Sequence, residues 1–508
     1  MSRTPPPLTR RSWLAGAAGL AAPAFIPHAR AADVPRFALG IASGQPRADA
    51  VVLWTRLTGP ELPERVSVQW EVASDEAFSQ VVAKGTEEAE AAWAHSVHAE
   101  PAGLAPSCGY FYRFRALGQQ SPVGRTRTAP APDAAATLNF AIASCQRWDH
   151  GHWAAWRHAV TRPLDVVLFL GDYIYEYPSP PNALRAHEGG LCTTLAEYRA
   201  RYAQYKSDPA LQAAHAAFPW LMVWDDHEVA NDYAGLAGGL PMGDFEAQRA
   251  AAYQAYWEHL PFAKAQRPRG AHMRIVGRLD WGRLARIHLL DDRQYRDPQA
   301  CQPAVGRSSV ESVKRCAALS DPKRSLLGAE QEQWLAQGWD RERPWNLLAQ
   351  QTLMARFTST DPASDTGPSV WTDGWDGYGP ARARLLAGAQ ARGAKGLVVL
   401  GGDVHAHHVA DLHADPDRAG SPRVGTEFCG TSISSRGRAQ ASLDAAMGFN
   451  PHMRYARADQ RGLVAFTLDE KLLKAELMSV RQPLQADSAV DVAARFVVEA
   501  ARPGAQVG

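Results

Sequence analysis

The sequence predicts an all-β sandwich over residues 35–130, followed by a larger domain of mixed α/β layers over 137–505. Three observations carry this. The chain has 508 residues, more than one ordinary core fills. A period-two alternation runs through the first part, as in Val66-Ser67-Val68-Gln69-Trp70-Glu71-Val72. In the second part, apolar stretches of strand length alternate with helical ones, and they repeatedly end in acids, amides or a cysteine.

The chain opens on an address. Thr9-Arg10-Arg11-Ser12-Trp13-Leu14 is a twin-arginine pattern, an Ala/Gly-rich run follows over 15–26, and Ala29-Arg30-Ala31 offers a small-x-small cleavage site. Residues 1–31 therefore read as a signal peptide, with the twin-arginine (Tat) translocon as partner and a periplasmic or secreted destination. The run is too short to span a bilayer, so no stable membrane insertion is expected. Because this route carries folded proteins, a chain loaded with a cofactor suits it. The net charge of +1 gives no basic surplus that would argue for a nucleic-acid partner. A monomer is expected.

Within the first domain, Val51-Val52-Leu53-Trp54-Thr55 is rich in strand formers. Leu104-Ala105-Pro106 followed by Tyr110-Phe111-Tyr112-Arg113-Phe114 resembles the tyrosine-corner strand of fibronectin type III sandwiches. The Pro/Ala-rich stretch 128–136 reads as a linker. In the second domain, strands are predicted at 138–143, 165–170, 220–224, 286–290, 346–349 and 396–400. They stop at Cys145, Asp172, Asp225-Asp226-His227, Asp291, Gln350 and Asp403-Val404-His405. Helical stretches lie at 194–205, 209–217, 245–259, 328–337 and 381–391. Cys301 and Cys316, in one insertion, could pair, although spacing alone does not give connectivity.

Strand ends of a layered α/β fold line one crevice. Carboxylates gathered there repel one another, and the cheapest compensation is a multivalent cation. One carboxylate can bridge two ions about 3.5–4 Å apart. Phenolate suits Fe(III), thiolate adds soft character, and histidine serves most transition metals. Further carboxylates suit Ca²⁺ or Mg²⁺. An isolated aspartate after a strand is more often a turn former, and an isolated buried cysteine a small hydrophobe. Six strand ends together point to a metal centre.

Gly171-Asp172-Tyr173-Ile174-Tyr175 matches the GDxxY motif of the metallophosphatase superfamily. "WDDHE" at 224–228, "GGDVHAHH" at 401–408 and "ASCQ" at 143–146 depart from that superfamily's usual forms. In those departures the sequence resembles the PhoD-type alkaline phosphatases, and the likeness extends over essentially the whole chain. The resemblance implies two facing sheets flanked by helices behind the β-sandwich, and phosphoester hydrolysis outside the cytoplasm with Fe(III) and Ca²⁺. It implies an iron shell of Cys145, Asp172, Tyr175 and His405. It implies a calcium shell of bridging Asp172, Asp226 and Asp403, with Asn231 and Gln350 as weaker members. A metal-bound hydroxide would attack the phosphorus. His227, Asp225 and Arg249 are the catalytic candidates: His227 to protonate the leaving oxygen or hold a phosphoryl oxygen, Arg249 or Arg293 to hold phosphate in a fork. Tyr177, Trp375 and Tyr378 are candidate cleft walls. Small phosphoesters are the expected substrates, as a phosphomonoesterase or, alternatively, as a phosphodiesterase or phospholipase-D-like hydrolase.

Overall fold

The computed structural model describes residues 34–238, 243–302, 308–416, 418 and 420–508. The signal-peptide reading of residues 1–31 lies outside them. Two large sheets face each other. The first has ten strands in the order Arg502–Val507, Val490–Glu499, Leu472–Val480, Gly462–Leu468, Leu138–Ala143, Val166–Leu170, Pro219–Val223, Ile41–Gly44, Val52–Arg56 and Ser96–Ala99. The second has seven, in the order Gly277–Trp281, Ala285–Leu289, Trp345–Ala349, Leu397–Gly401, Arg423–Cys429, His407–His413 and Met453–Arg457.

Each sheet has a parallel centre. Leu138–Ala143, Val166–Leu170 and Pro219–Val223 run parallel in one. Ala285–Leu289, Trp345–Ala349, Leu397–Gly401 and Arg423–Cys429 do so in the other. These strands are buried on both faces, which is why they read as continuous apolar runs. Successive side chains of one strand enter different cores: Leu347 and Val398 join the core between the sheets, while Leu348 and Val399 join the core beneath the helices Ala329–Gly338 and Gly379–Ala391. The helices Leu195–Lys206, Pro209–Ala217 and Phe245–His259 cover the larger sheet with Tyr198, Tyr202, Leu211, Tyr253 and Tyr256. Their starts are written locally. Thr194 and Glu197 form a capping box, and Asp208 and Asp244 accept backbone N–H bonds at the other two.

The N-terminal region packs as two layers around Val68, Val72, Tyr112 and Phe114, but its second layer is not self-contained. Ile41–Gly44 pairs in parallel with Pro219–Val223, so this layer is the continuation of the ten-stranded sheet. In the remaining sheet Arg65–Ala73 lies between Val81–Glu90 and Gly109–Ala116; the alternation of the first and last was visible in the sequence, while Val81–Glu90 and the long-range pairing were not. Tyr110 forms the expected corner: its hydroxyl accepts from the Ala105 N–H at 2.9 Å. Cys301 and Cys316 form a disulfide.

Candidate metal centre

The C-terminal ends of both parallel centres meet at one cavity of about 390 Å³. Among the described residues three groups of ligand-type atoms lie here, each within 4.8 Å: Cys145, Asp172 and His405; Asp172, Asp226 and His227; and Asp226, Asp232 and Asp373. Asp172 joins the first two, and Asp226 the last two. Four of the candidate ligands sit at left-handed φ: Cys145 (57°), Asp172 (58°), Asp403 (65°) and His405 (52°). Non-glycine residues held there cost of order 1–3 kcal/mol each and persist where surrounding structure imposes them. Gly171 shows the crowding: a Cβ there would stand 2.4 Å from the Asp225 Cβ, at a φ of +105°.

Asp172 accepts the Tyr175 O–H at 2.7 Å through Oδ2, and Oδ1 is buried without a partner. The Ser435 hydroxyl lies 2.7 Å from the Tyr175 hydroxyl and 2.8 Å from the Cys145 carbonyl. His405 Nδ1 donates to the Arg436 carbonyl (2.9 Å), leaving Nε2 as a lone-pair donor 3.1 Å from the Tyr175 hydroxyl. Burial and the Asp172 charge push both the Cys145 thiol and the Tyr175 phenol well above their ordinary pKa values. Asp403 Oδ2 is likewise buried and unpartnered, and burial raises its carboxyl well above the usual range despite the pull of Arg293. For Asp226 the balance is reversed. Burial pushes up, but Arg293 and His227 hold its carboxyl below the ordinary value.

Unpartnered buried carboxylate oxygens are costly unless something fills the gap. The donor set of thiol, phenol, imidazole and carboxylates fits metal ions. The residues that would hold them are Cys145, Tyr175 and His405 beside Asp172, and Asp226 in the second cluster; the expected ligand Asp403 lines the same cavity but joins none of the three groups. Asn231 also lines the cavity, its backbone N–H held by Glu176 at 2.8 Å.

Four expectations need correction. Gln350 does not line the cavity: its amide oxygen accepts from Thr352 N (3.1 Å) and Trp375 Nε1 (3.0 Å), and its amide nitrogen donates to the Thr352 carbonyl. Arg249 is buried in its helix, donates to the Gly235 carbonyl at 2.6 Å and braces the 231–238 loop. Asp225 stands behind the site, its carboxylate on the Arg293 guanidinium and its N–H on Glu228. Arg293 is itself fully buried between Asp225 and Asp373, so it is scaffold rather than a phosphate fork. Of the aromatic wall candidates, Trp375 lines the cavity, Tyr177 packs edge-on against His227, and Tyr378 is buried with its hydroxyl on the Asp297 carbonyl.

The sequence reading passed over two acids. Glu228 accepts the backbone N–H groups of Asp172 (3.0 Å), Tyr173 (2.6 Å) and Asp225 (2.8 Å), tying two strand ends together. Burial and the Asp172 charge push it up to about 8 even so. Glu176 Oε2 lies 2.7 Å from His227 Nδ1. Burial opposes a charge on His227, but Glu176 and Asp226 outweigh it and raise the imidazole well above its ordinary pKa. Both acids follow motif residues directly, and that adjacency was the available signal.

The PhoD-like phosphatase family model matches residues 140–477, and the model of the PhoD-like phosphatase N-terminal domain matches 21–130. The chain belongs to the PhoD-like phosphatases. It is 42% identical over 486 residues to alkaline phosphatase D of Bacillus subtilis (strain 168), covering 92% of this chain and 82% of that protein. A solved structure of PhoD superposes with a TM-score of 0.87 at 40% identity, covering 93% of this chain and 92% of that one. The purple acid phosphatase PPD1 of yellow lupin (Lupinus luteus) shares the fold, with a TM-score of 0.55 at 11% identity, over 91% and 74% of the two chains. Membership in the PhoD-like family makes the protein a phosphoric ester hydrolase, and a metallophosphatase-like family implies metal ions at its site.

Proposed function

We propose that the protein is an exported, metal-dependent phosphoester hydrolase of alkaline type, with Fe(III) held by Cys145, Asp172, Tyr175 and His405 and Ca²⁺ by Asp172, Asp226 and Asp403, aided by Asn231. The carrying observation is Asp172, shared by two ligand clusters with one buried oxygen left unpartnered. When bound, the ions supply positive charge for the phosphoryl oxygens and a water acidic enough to ionise near neutral pH. His227, oriented by Glu176 at 2.7 Å, gives a proton to the leaving oxygen or a hydrogen bond to a phosphoryl oxygen. Trp375, Leu353 and Phe357 narrow the water around the departing group. Residues 35–130 form a fibronectin III-like cap, residues 137–505 carry the catalysis, and the mature protein acts as a monomer after twin-arginine export. No helix among the described residues is long and apolar enough to cross a membrane.

Rates on p-nitrophenyl phosphate and bis-p-nitrophenyl phosphate test the reading. The monoester should be cleaved at pH 8, slowly at pH 5, and EGTA should abolish the pH 8 activity until Ca²⁺ is restored. Full activity at pH 5, or indifference to EGTA after long dialysis, refutes the calcium assignment. Faster cleavage of the bis ester favours the diesterase reading.

A further inference from the structure

The cavity lining is chemically mixed. Beside the acid cluster it carries Leu353, Phe357, Trp371 and Val404, and Arg438 joins the lining next to Phe357. Arg438 is exposed, and among the described residues no carboxylate lies within ion-pair distance of it. Among the described residues it is the one lysine or arginine that lines the cavity, where the acids Asp172, Asp226, Asp232, Asp376 and Asp403 also face inward. Its guanidinium lies 5.8 Å from the centroid of the Phe357 ring, which packs edge-on against His408 at 5.7 Å.

Its position is set by the metal centre. The residue before it, Gly437, is pressed against the backbone of a candidate ligand: a Cβ there would stand 2.5 Å from the His405 carbonyl oxygen and 2.7 Å from that of Ala458. One residue earlier, the Arg436 carbonyl accepts from His405 Nδ1. The same loop therefore orients His405 and aims Arg438 across the aromatic wall.

We propose that Arg438 is a specificity-determining residue. It binds a second anionic group, a carboxylate or phosphate, on the alcohol half of a phosphate ester whose aromatic or apolar body lies along Phe357 and Trp371. A free guanidinium offers a planar fork that pairs with such groups bidentately, and an aromatic face beneath it accepts the intervening ring. This rests on the phosphoesterase reading above and names the kind of leaving group it favours.

The test compares phenyl phosphate with 4-carboxyphenyl phosphate on the metal-loaded enzyme, following released phosphate. Loss of one charge-assisted pair predicts that R438A raises the ratio of KM for the carboxylated ester to KM for phenyl phosphate about 10-fold or more. R438E should raise it further, and R438K should restore most of the discrimination. F357A should raise KM for both aryl esters relative to glycerol phosphate. A ratio that stays within about twofold in both R438A and R438E overturns the assignment, as does an equal fall in kcat on both esters with no change in the ratio. Wild-type enzyme that releases phosphate from neither ester refutes the phosphoesterase reading and takes this inference with it.

Discussion

Two groups of buried acids stand side by side at the ends of the parallel strands, and the protein treats them differently. Asp225 and Asp373 are neutralised from within: Arg293 reaches both, Arg296 donates to Asp373 at 2.7 Å, and Gln299 does so at 2.6 Å. All four charged side chains are at most 1% exposed. Asp225, Asp373, Asp172 and Asp403 each leave one buried oxygen without a hydrogen bond, but the carboxylates of Asp225 and Asp373 lie on Arg293, whereas among the described residues no arginine or lysine pairs with Asp172 or Asp403. Where the chain supplies its own cation, as for Asp225 and Asp373, the acids are scaffold; Asp226 stands between the two groups, 3.7 Å from Arg293 and lining the cavity. Where it withholds one, at four residues held at strained backbone angles, a cation from outside completes the fold. The contrast also explains why Arg293, a natural candidate for gripping phosphate, does not face the cavity: its charge is committed to the acids behind the site.

The largest effect should come from removing the internal cation. Arg293→Ala leaves Asp225 buried and uncompensated and Asp373 with Arg296 alone, and breaking such a buried pair typically costs about 3–5 kcal/mol. Denaturant unfolding of the metal-loaded protein measures it, and a change below about 1 kcal/mol would erase the distinction between the two groups. Asp172→Asn should instead spare the fold and remove both metals. It should lower kcat/KM by at least about 10²–10³-fold, the scale of a lost principal electrostatic stabiliser. Asp403→Asn should retain part of the iron, and equal, independent losses in the two variants would contradict a bridging Asp172. Glu228→Gln, which turns an amide N–H toward three backbone donors, should weaken metal binding about 10–100-fold, as outer partners of ligands do. An unchanged metal titration would contradict that positioning role.

The smallest effect is in the metal-free protein. Glu228 and Asp403 have folded pKa values raised above their unfolded ones, so the native state holds protons that the unfolded chain releases. The stabilisation is complete below about pH 4 and is lost as pH rises, for Glu228 through about 8. His227, also raised, acts in the same direction. Buried histidines with lowered pKa values, such as His98, His215 and His259, act in the opposite direction, so the Glu228 share is isolated by comparison with Glu228→Gln. Between pH 5 and pH 8 the metal-stripped wild type should lose at least about 1 kcal/mol relative to that variant. Loading the site should shrink the difference. Melting curves with and without chelator at the two pH values decide it.

Much of this was legible in the sequence. The buried strands that end in Cys145, Asp172, Asp226 and Asp403 announced themselves as apolar runs, and the helices Pro209–Ala217 and Phe245–His259 coincide with their predicted spans. What stayed hidden depends on distance in the fold rather than along the chain. The pairing of Ile41–Gly44 with Pro219–Val223 joins segments nearly 180 residues apart, and no local pattern encodes it. Gln350 carries ligand chemistry at a strand end, yet Thr352 and Trp375 consume both ends of its amide. Arg249 reads as a free cation in an alanine-rich helix until the loop carbonyl of Gly235 is seen against it. Arg438 lies in a Ser/Arg-rich stretch with no periodicity, and the cavity alone gives it meaning.

The central claim is that external cations complete the cluster around Asp172, and metal analysis of the natively purified protein, read together with its visible spectrum, tests it most directly. The account predicts iron and calcium bound to each chain, a visible charge-transfer band from the phenolate or thiolate, and a shift or bleaching of that band in Tyr175→Phe. A colourless, fully active protein containing zinc alone would contradict it.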